Sequence, residues 1–213
     1  MHRLIVKLIL IFMAGVIFSC GSSNSHLSLK SGDILFTGPA QSEAGKLSSA
    51  IDEVTQTHQN TNYTHMGIVE VAEQEVFVIH ADPKNRVCRQ PLNQFLVNHP
   101  FVDVYRLKGT FEHHIPQAIE KGNFLLGLPY DEAYIIGGNR HYCSGLIYTL
   151  FDNDSIFTLE PMTFIDPSTG DFHTLWVEHY DRLGIEIPEG LPGCNPNGMA
   201  VSDAIYFLGS LKQ

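Results

Sequence analysis

Two β-rich runs separated by a tight polar turn constrain this chain more than any other feature of its sequence. They are THMGIVEVA at residues 64–72 and EVFVIHAD at residues 75–82. Runs of β-branched and aromatic residues on either side of a two-residue polar turn predict an antiparallel hairpin. The turn is centred on Glu73 and Gln74.

The register of this hairpin decides which polar side chains share one face of the sheet. Symmetric pairing about the turn places Gly67 opposite His80 and His65 opposite Asp82. Because side chains alternate along a strand, all four residues face the same side. His65 and His80 become diagonal neighbours about 7–8 Å apart at the backbone, within reach of long side chains. Gly67 leaves room between them, and a shift of one residue would break this geometry.

The rest of the chain mixes strands and helices without a strict alternation, which predicts an α+β fold in one domain. The 213 residues with 44% hydrophobic content suffice for one sizeable core. The patterns predict strands at 31–38 and 101–107, helices at 43–57, 111–126 and 172–184, a short helical turn at 91–98, and a loop at 186–199.

The first twenty residues, MHRLIVKLILIFMAGVIFSC, form a segment of a different kind. Early basic residues followed by a short apolar run predict a bacterial export signal rather than a membrane-spanning helix. The ending VIFSC resembles a lipobox, so Cys20 is expected to become the lipidated first residue of the mature protein. Simple cleavage nearby and an uncleaved anchor are the alternatives. Residues 21–30 are mostly polar and predict a tether, which leaves 31–213 as the folded domain of a cell-envelope lipoprotein, periplasmic or surface-facing.

The remaining cysteines are Cys88, Cys143 and Cys194. An odd number in an exported protein leaves at least one thiol unpaired. Cys88 and Cys194 could form a disulfide in an oxidising compartment, or remain two buried thiols. The chain has no C-x-x-C pair or His/Cys ligand cluster, so no metal site is expected. A net charge of −10 opposes nucleic-acid binding through a basic surface.

Cys143 lies where the stretch NRHYCSGLIYTLF is about to become helical. It could be an inert packing residue or a nucleophile. A free thiol with a pKa of about 8.5 is mostly protonated at neutral pH, and a helix N-terminus or a neighbouring imidazolium lowers that pKa. The predicted helix supplies the first device, and the hairpin supplies a histidine pair in which one ring can act as base while the other orients it.

The ordered motifs SGDILFTG, YTHMGIVEV, VFVIHA, GLPYDEAY and HYCSGLI resemble the circularly permuted, YiiX-like branch of the NlpC-type papain-like cysteine peptidases and amidases. The resemblance implies a permuted papain-like fold, with an antiparallel sheet packed against helices that include the nucleophile helix. It also implies that Cys143 is the nucleophile, His65 the general base and His80 the third polar residue. Many relatives carry Glu at this third position, and Asp82 is the fallback for the role.

Tyr130, in the family segment GLPYD, is expected either to donate a hydrogen bond to an oxyanion or substrate, or to be a core tyrosine. The backbone N–H of Cys143 is a second oxyanion donor candidate. The expected function is hydrolysis of amide bonds without a cofactor, on small peptides or amides such as peptidoglycan-derived peptides. Acyltransferase or thioesterase chemistry on lipids at the same site, and a non-catalytic ligand-binding scaffold, are the alternatives.

Overall fold

The computed structural model describes residues 27–38, 46–152 and 155–212. Its centre is a six-stranded, fully antiparallel sheet with the strand order β4-β3-β2-β1-β5-β8. Two further two-residue strands, β6 and β7, pair with each other. The strands are β1 Ile34–Thr37, β2 His65–Ala72, β3 Glu75–Asp82, β4 Arg86–Pro91, β5 Phe101–Leu107, β6 Glu160–Pro161, β7 Pro192–Gly193 and β8 Ile205–Lys212.

Six α-helices and a 3-10 helix at Gly109–His114 surround the sheet within the described ranges. None of the helices described is both long and apolar enough to cross a bilayer. This arrangement confirms the predicted α+β class. The helices are α1 Lys46–Val54, α2 Leu92–Asn98, α3 Ile115–Phe124, α4 Cys143–Phe151, α5 Thr174–Leu183 and α6 Pro196–Ala200.

The predicted hairpin register is confirmed from the turn outward to the pair of Ile68 with Ile79. Val69 pairs with Val78, and the turn residues Glu73 and Gln74 have φ of 50° and 70°. Positive φ at both central residues is the geometry that matches the twist of the flanking strands. The recorded ladder between β2 and β3 runs outward from the turn only as far as Ile68. The first three residues of β2 therefore lie beyond this ladder, at an open end of the hairpin.

The two faces of the sheet carry separate cores, because successive side chains of each strand point to opposite sides. Met66 and Ile68 of β2 belong to the cluster that contains Leu146 and Ile147 of α4. Val69 of β2 belongs instead to the cluster built around Phe95 of α2. Helix α4 therefore covers one face, and α2 covers the other.

The segment before β1 packs on the sheet rather than forming a free tether. Leu27 and Leu29 lie against the α2-side cluster, and the Lys30 backbone N–H donates to Asp33 at 2.7 Å. The fully buried Asp33 also receives two hydrogen bonds from Arg106, at 2.6 and 2.8 Å. The tether prediction is therefore wrong for residues 27–30, because two leucines find apolar surface there. The rest of that segment lies outside the described residues.

Candidate active site

Cys143 is the first residue of α4, and its neighbours fix it from both sides. The preceding residue, Tyr142, is extended and places no side-chain cap on the helix. The Ser144 hydroxyl donates to the Cys194 carbonyl at 3.0 Å, and the Cys194 backbone N–H donates to the Tyr142 hydroxyl at 3.2 Å. A Cβ on Gly145 would lie 2.6 Å from the Tyr142 ring, so only glycine allows this packing. The start of α4 is thereby anchored without a side-chain cap from Tyr142.

The thiol of Cys143 is buried against the N-terminal end of β2. Its sulfur lies 3.9 Å from the Thr64 carbonyl oxygen, and the backbone N–H groups of Ser144 and Met66 also hydrogen-bond to it. Burial is the largest influence and raises the pKa of Cys143 to about 11, although these hydrogen bonds act in the opposite direction. The expected activated thiolate is therefore wrong for this state, because desolvation outweighs the helix N-terminus. The resting thiol is protonated at neutral pH.

His65 and His80 form the pair that the hairpin register predicts. His65 Nε2 lies 2.9 Å from His80 Nδ1, with the two ring planes nearly perpendicular. Gly67 makes this approach possible, since a Cβ there would meet Val78 at 2.6 Å and the His80 Cβ at 3.1 Å. Burial, with the charge of His80, holds the pKa of His65 well below its usual value, and burial also lowers the pKa of His80. Both rings are neutral at pH 7.

Two further residues of the α2 side complete the surroundings of this pair, and the sequence reasoning did not identify them. The His99 ring stacks on His65 with centroids 5.1 Å apart. On the other side, the Cys88 sulfur lies 3.4 Å from His80 Nε2. Cys88 and Cys194 are both free thiols, so they do not form the disulfide that was one of the two alternatives for this pair. The signal for His99 was its position four residues after Phe95, directly after the last residue of α2, where its ring contacts Phe95 with centroids 4.5 Å apart.

The thiol and the His65 imidazole approach β2 from different sides. The sulfur contacts the backbone on either side of His65, whereas the imidazole faces Phe95 and His99. Among the described residues, no hydrogen bond joins the sulfur to this ring. The two groups therefore flank the first residues of β2, where that strand has left its ladder with β3. Catalytic hydrogen bonds are often long in the ligand-free state and tighten when substrate binds.

Asp82 does not take the fallback role of orienting His65. Its Oδ1 accepts hydrogen bonds from the backbone N–H groups of Lys84 (3.0 Å) and Asn85 (2.6 Å), in the turn between β3 and β4. The contact to His65 Nε2 comes from His80 instead. Asp82 nevertheless acts at a distance, since its charge opposes the burial that lowers the pKa of His80.

Tyr130 lies near the thiol and next to a second tyrosine. Its pKa is raised well above the usual value by burial first, then by Tyr134 and Cys143. Tyr134 is partly buried, its ring packs edge-on against Tyr130 with the ring centroids 6.3 Å apart, and the two side chains are hydrogen-bonded. Tyr130 therefore keeps its hydroxyl proton at neutral pH and has a hydrogen to donate near the sulfur.

A cavity of about 530 Å³ opens beside Cys143. The sequence left residues after 155 without a role, apart from the expectation that they wall the cleft, and segments 155–164 and 193–204 do line this cavity. Helices α1 and α5 close its remaining sides. Apolar side chains dominate the lining, among them Ile156, Phe157, Met162, Phe164 and Trp176.

Within the described ranges, no group of three or more His, Cys, Asp or Glu side chains is arranged to hold a metal ion. Cys20, the expected lipidation site, lies outside the described residues.

Comparison with known proteins identifies a family and a related fold. The family model described as "Permuted papain-like amidase enzyme, YaeF/YiiX, C92 family" matches residues 28–209. A crystal structure of the metalloprotein YiiX from Escherichia coli O157:H7 superposes with a TM-score of 0.70 at 20% sequence identity. The match covers 86% of this chain and 98% of that one, and it supports the permuted papain-like fold. Comparison with the curated proteins yields no match.

Proposed function

The chain belongs to the permuted papain-like amidases of the YaeF/YiiX family, and from that premise we propose that it cleaves amide bonds with Cys143 as nucleophile, His65 as general base and His80 as the residue that orients His65. The observation that carries this assignment is the 2.9 Å hydrogen bond between His65 and His80, formed where β2 passes the buried thiol. Nε2 of His65 is engaged by His80, which leaves Nδ1 as the ring nitrogen to serve the thiol.

The protonation states favour a general-base mechanism over a preformed thiolate–imidazolium pair. Cys143 begins as a thiol and His65 as a neutral imidazole. As the sulfur attacks the carbonyl carbon, its proton moves to His65 Nδ1 and the carbonyl π electrons move to oxygen. The backbone N–H of Cys143, at the start of α4, and the Tyr130 hydroxyl are the proposed donors to this oxyanion.

Collapse of the tetrahedral intermediate breaks the C–N bond and leaves an acyl thioester on Cys143. His65 gives its proton to the departing nitrogen, which leaves as a neutral amine. The neutral imidazole then takes a proton from water as the water oxygen attacks the thioester carbonyl. The Cys143 sulfur leaves with the proton from His65, which restores the thiol and releases a carboxylic acid.

The cavity beside Cys143 favours a substrate with an apolar group next to the scissile amide. The lining includes the carboxylates of Glu160 and Asp203 and, among the described residues, no Lys or Arg, so a peptidoglycan-derived peptide with free carboxylates would bring unpaired negative charge into this largely apolar cavity. An N-acyl amide with an aliphatic chain fits it better. The same cavity supports a second candidate, transfer of the acyl group from the thioester to an acceptor other than water.

The proposed location is the cell envelope, with the chain tethered by a lipid on Cys20. The support is the basic and apolar leader, which ends in VIFSC. Expression in a bacterial host with a radiolabelled or alkyne-tagged fatty acid should label the wild-type chain and leave Cys20→Ala unlabelled. Equal labelling of both chains would contradict the tether.

The substrate proposal is tested by a matched pair of amides. A lauroyl amide and an acetyl amide of the same chromogenic amine are compared, together with a peptidoglycan-derived tetrapeptide. The expected result is the largest kcat/KM for the lauroyl amide and a lauroyl adduct on Cys143 in intact mass spectra. Preference for the tetrapeptide would overturn the apolar substrate, and absence of any adduct or turnover would favour a non-catalytic scaffold.

A further inference from the structure

His80 has a second hydrogen-bonding partner besides His65. Its cross-strand neighbour on β4 is Cys88, and the two side chains meet with Nε2 and Sγ 3.4 Å apart. His80 Nδ1 faces His65 Nε2 at 2.9 Å. The buried His80 ring therefore bridges the base and a free thiol, and the Gln90 side chain is a third hydrogen-bonding partner of the ring.

The proposed reaction requires one particular tautomer of His80. To accept the thiol proton, His65 must have Nδ1 unprotonated, so its own hydrogen is on Nε2 and points at His80. His80 Nδ1 must then be an acceptor, which places the single hydrogen of the neutral ring on Nε2. That hydrogen points at the Cys88 sulfur. In the opposite tautomer, His80 Nδ1 carries the hydrogen and donates it to His65 Nε2. The hydrogen of the neutral His65 ring is then on Nδ1, so this nitrogen cannot accept the thiol proton.

We propose that Cys88 is a positioning residue, whose sulfur accepts the Nε2–H of His80 and thereby holds His80 in the tautomer that lets His65 act as base. This inference rests on the proposed function, since it assigns the orienting role to His80. Cys88 acts only through His80 and does not contact the substrate.

The surroundings of His80 keep both partners neutral, as this role requires. Burial, with the charge of Asp82, raises the pKa of Cys88 to about 11, so it is a thiol rather than a competing thiolate. Burial lowers the pKa of His80, against the opposing influences of Asp82 and of the Gln90 side chain. His99 and His65 are the other titratable groups facing this ring, and the pKa of each is also lowered.

A carboxylate at position 80 would make Cys88 unnecessary. A carboxylate accepts hydrogen bonds on both oxygens and has no tautomer to select. This contrast gives a double-mutant test, because Cys88 should matter only while residue 80 is histidine. If Cys88 acted only through packing, its replacement would lower kcat/KM equally with histidine or glutamate at position 80.

The test compares Cys88→Val, which removes the acceptor at similar size, with Cys88→Ser, which keeps one. Both are made in the wild type and in His80→Glu. The readouts are kcat/KM for the lauroyl amide, and the His80 tautomer from two-bond ¹H–¹⁵N spectra of the ring. Loss of one net hydrogen bond predicts a fall in kcat/KM of about fivefold for Cys88→Val. The kcat/KM of Cys88→Ser should stay within about twofold of the wild-type value. In the His80→Glu background, Cys88→Val should leave kcat/KM unchanged.

The spectra keep the proposal falsifiable even if His80→Glu does not fold or the chain has another substrate. They should show hydrogen on His80 Nε2 in the wild type and in Cys88→Ser, and a mixture or the opposite tautomer in Cys88→Val. A wild-type ring protonated on Nδ1, or an unchanged tautomer in Cys88→Val, overturns the role of Cys88. If the tautomers behave as expected but neither Cys143→Ala nor His65→Ala alters turnover, the proposed function fails and the tautomer control stands.

Discussion

The two faces of the central sheet differ in chemistry although they share the same strands. The α4 face carries the Cys143 thiol, an apolar cavity and an almost fully buried helix. The α2 face carries a connected polar group, in which Cys88, His80, His65 and His99 contact one another in that order. The proposed nucleophile and its proposed base are thus held by separate layers, on opposite faces of β2. A mutation in one layer is therefore expected to leave the other layer unchanged.

The largest expected effect is the loss of activity when Cys143, one of the two buried thiols of the α4 face, is replaced and the other, Cys194, serves as the control. Cys143→Ala should abolish turnover, by about 10⁴-fold or more, because no nucleophile remains. Cys194→Ala is the matched control, since its contacts to Ser144 and Tyr142 include backbone atoms that alanine retains. It should keep kcat within a few-fold. Steady-state kinetics on the lauroyl amide measures both, and equal losses would mean that Cys143 is only a packing residue.

The segment that leads into β2 is held by Asn197, and removing this residue should give the next largest effect. Its fully buried amide accepts from Thr61 and the Tyr63 backbone, and donates to Asp52 and Thr55, at 2.8–3.1 Å. Asn197→Ala leaves the buried Tyr63 backbone N–H unpaired and removes hydrogen bonds to three partly buried side chains, so it should cost about 2–4 kcal/mol of unfolding free energy.

Urea denaturation monitored by tryptophan fluorescence measures this loss. The exposed Asn93 provides the control, and Asn93→Ala should change the unfolding free energy by less than about 0.5 kcal/mol. A similar small change in Asn197→Ala would show that the start of β2 is held by other contacts.

Gly67→Ala acts on the α2 face alone. The added Cβ would lie 2.6 Å from Val78 and 3.1 Å from the His80 Cβ, so the strands must shift. A loss of about 1–3 kcal/mol in unfolding free energy is expected from overpacking. The kcat should fall while the burial of Cys143 is unchanged, which is measured as an unaltered rate of Cys143 alkylation in the absence of substrate. An alkylation rate that rises with the mutation would show that the two faces are coupled through the sheet.

A pH dependence of stability also belongs to the α2 face. His65, His80 and His99 have folded pKa values below the ordinary value, with His99 at about 4. Below pH 6.5 the unfolded chain binds protons that the folded chain does not, so stability falls as the pH is lowered toward the folded values. The slope approaches about 1.4 kcal/mol per pH unit for each histidine.

His99→Gln should remove one proton from this uptake and flatten the slope by up to that amount. Urea denaturation between pH 7 and pH 4.5 measures it. A slope that is unchanged in His99→Gln would mean that His99 is protonated as easily in the folded chain as in the unfolded one.

The sequence was informative where a pattern is local. The turn at Glu73 and Gln74 fixed the register of the hairpin, and the register predicted the contact between His65 and His80. The apolar spacing after Cys143 predicted α4.

Features that depend on distant parts of the chain could not be predicted in this way. Strand β4 has the polar sequence RVCRQP, so its pairing with β3, and with it the contact of Cys88 with His80, was not recognised. The pKa of Cys143 was expected to fall, but the depth of burial depends on α4 packing against distant segments. The apolar cavity likewise needs residues after 155, whose patterns gave no sign of a common wall.

The central claim is that Cys143 and His65 act together across the end of β2, and single-turnover acylation tests it most directly. The rate of formation of the lauroyl adduct on Cys143 is followed by rapid quench and mass spectrometry in the wild type, in His65→Ala and in the exposed-histidine control His58→Ala. Loss of a general base predicts a rate lower by about 10²–10⁴-fold in His65→Ala and an unchanged rate in His58→Ala. Acylation of Cys143 at the wild-type rate in His65→Ala would contradict the account.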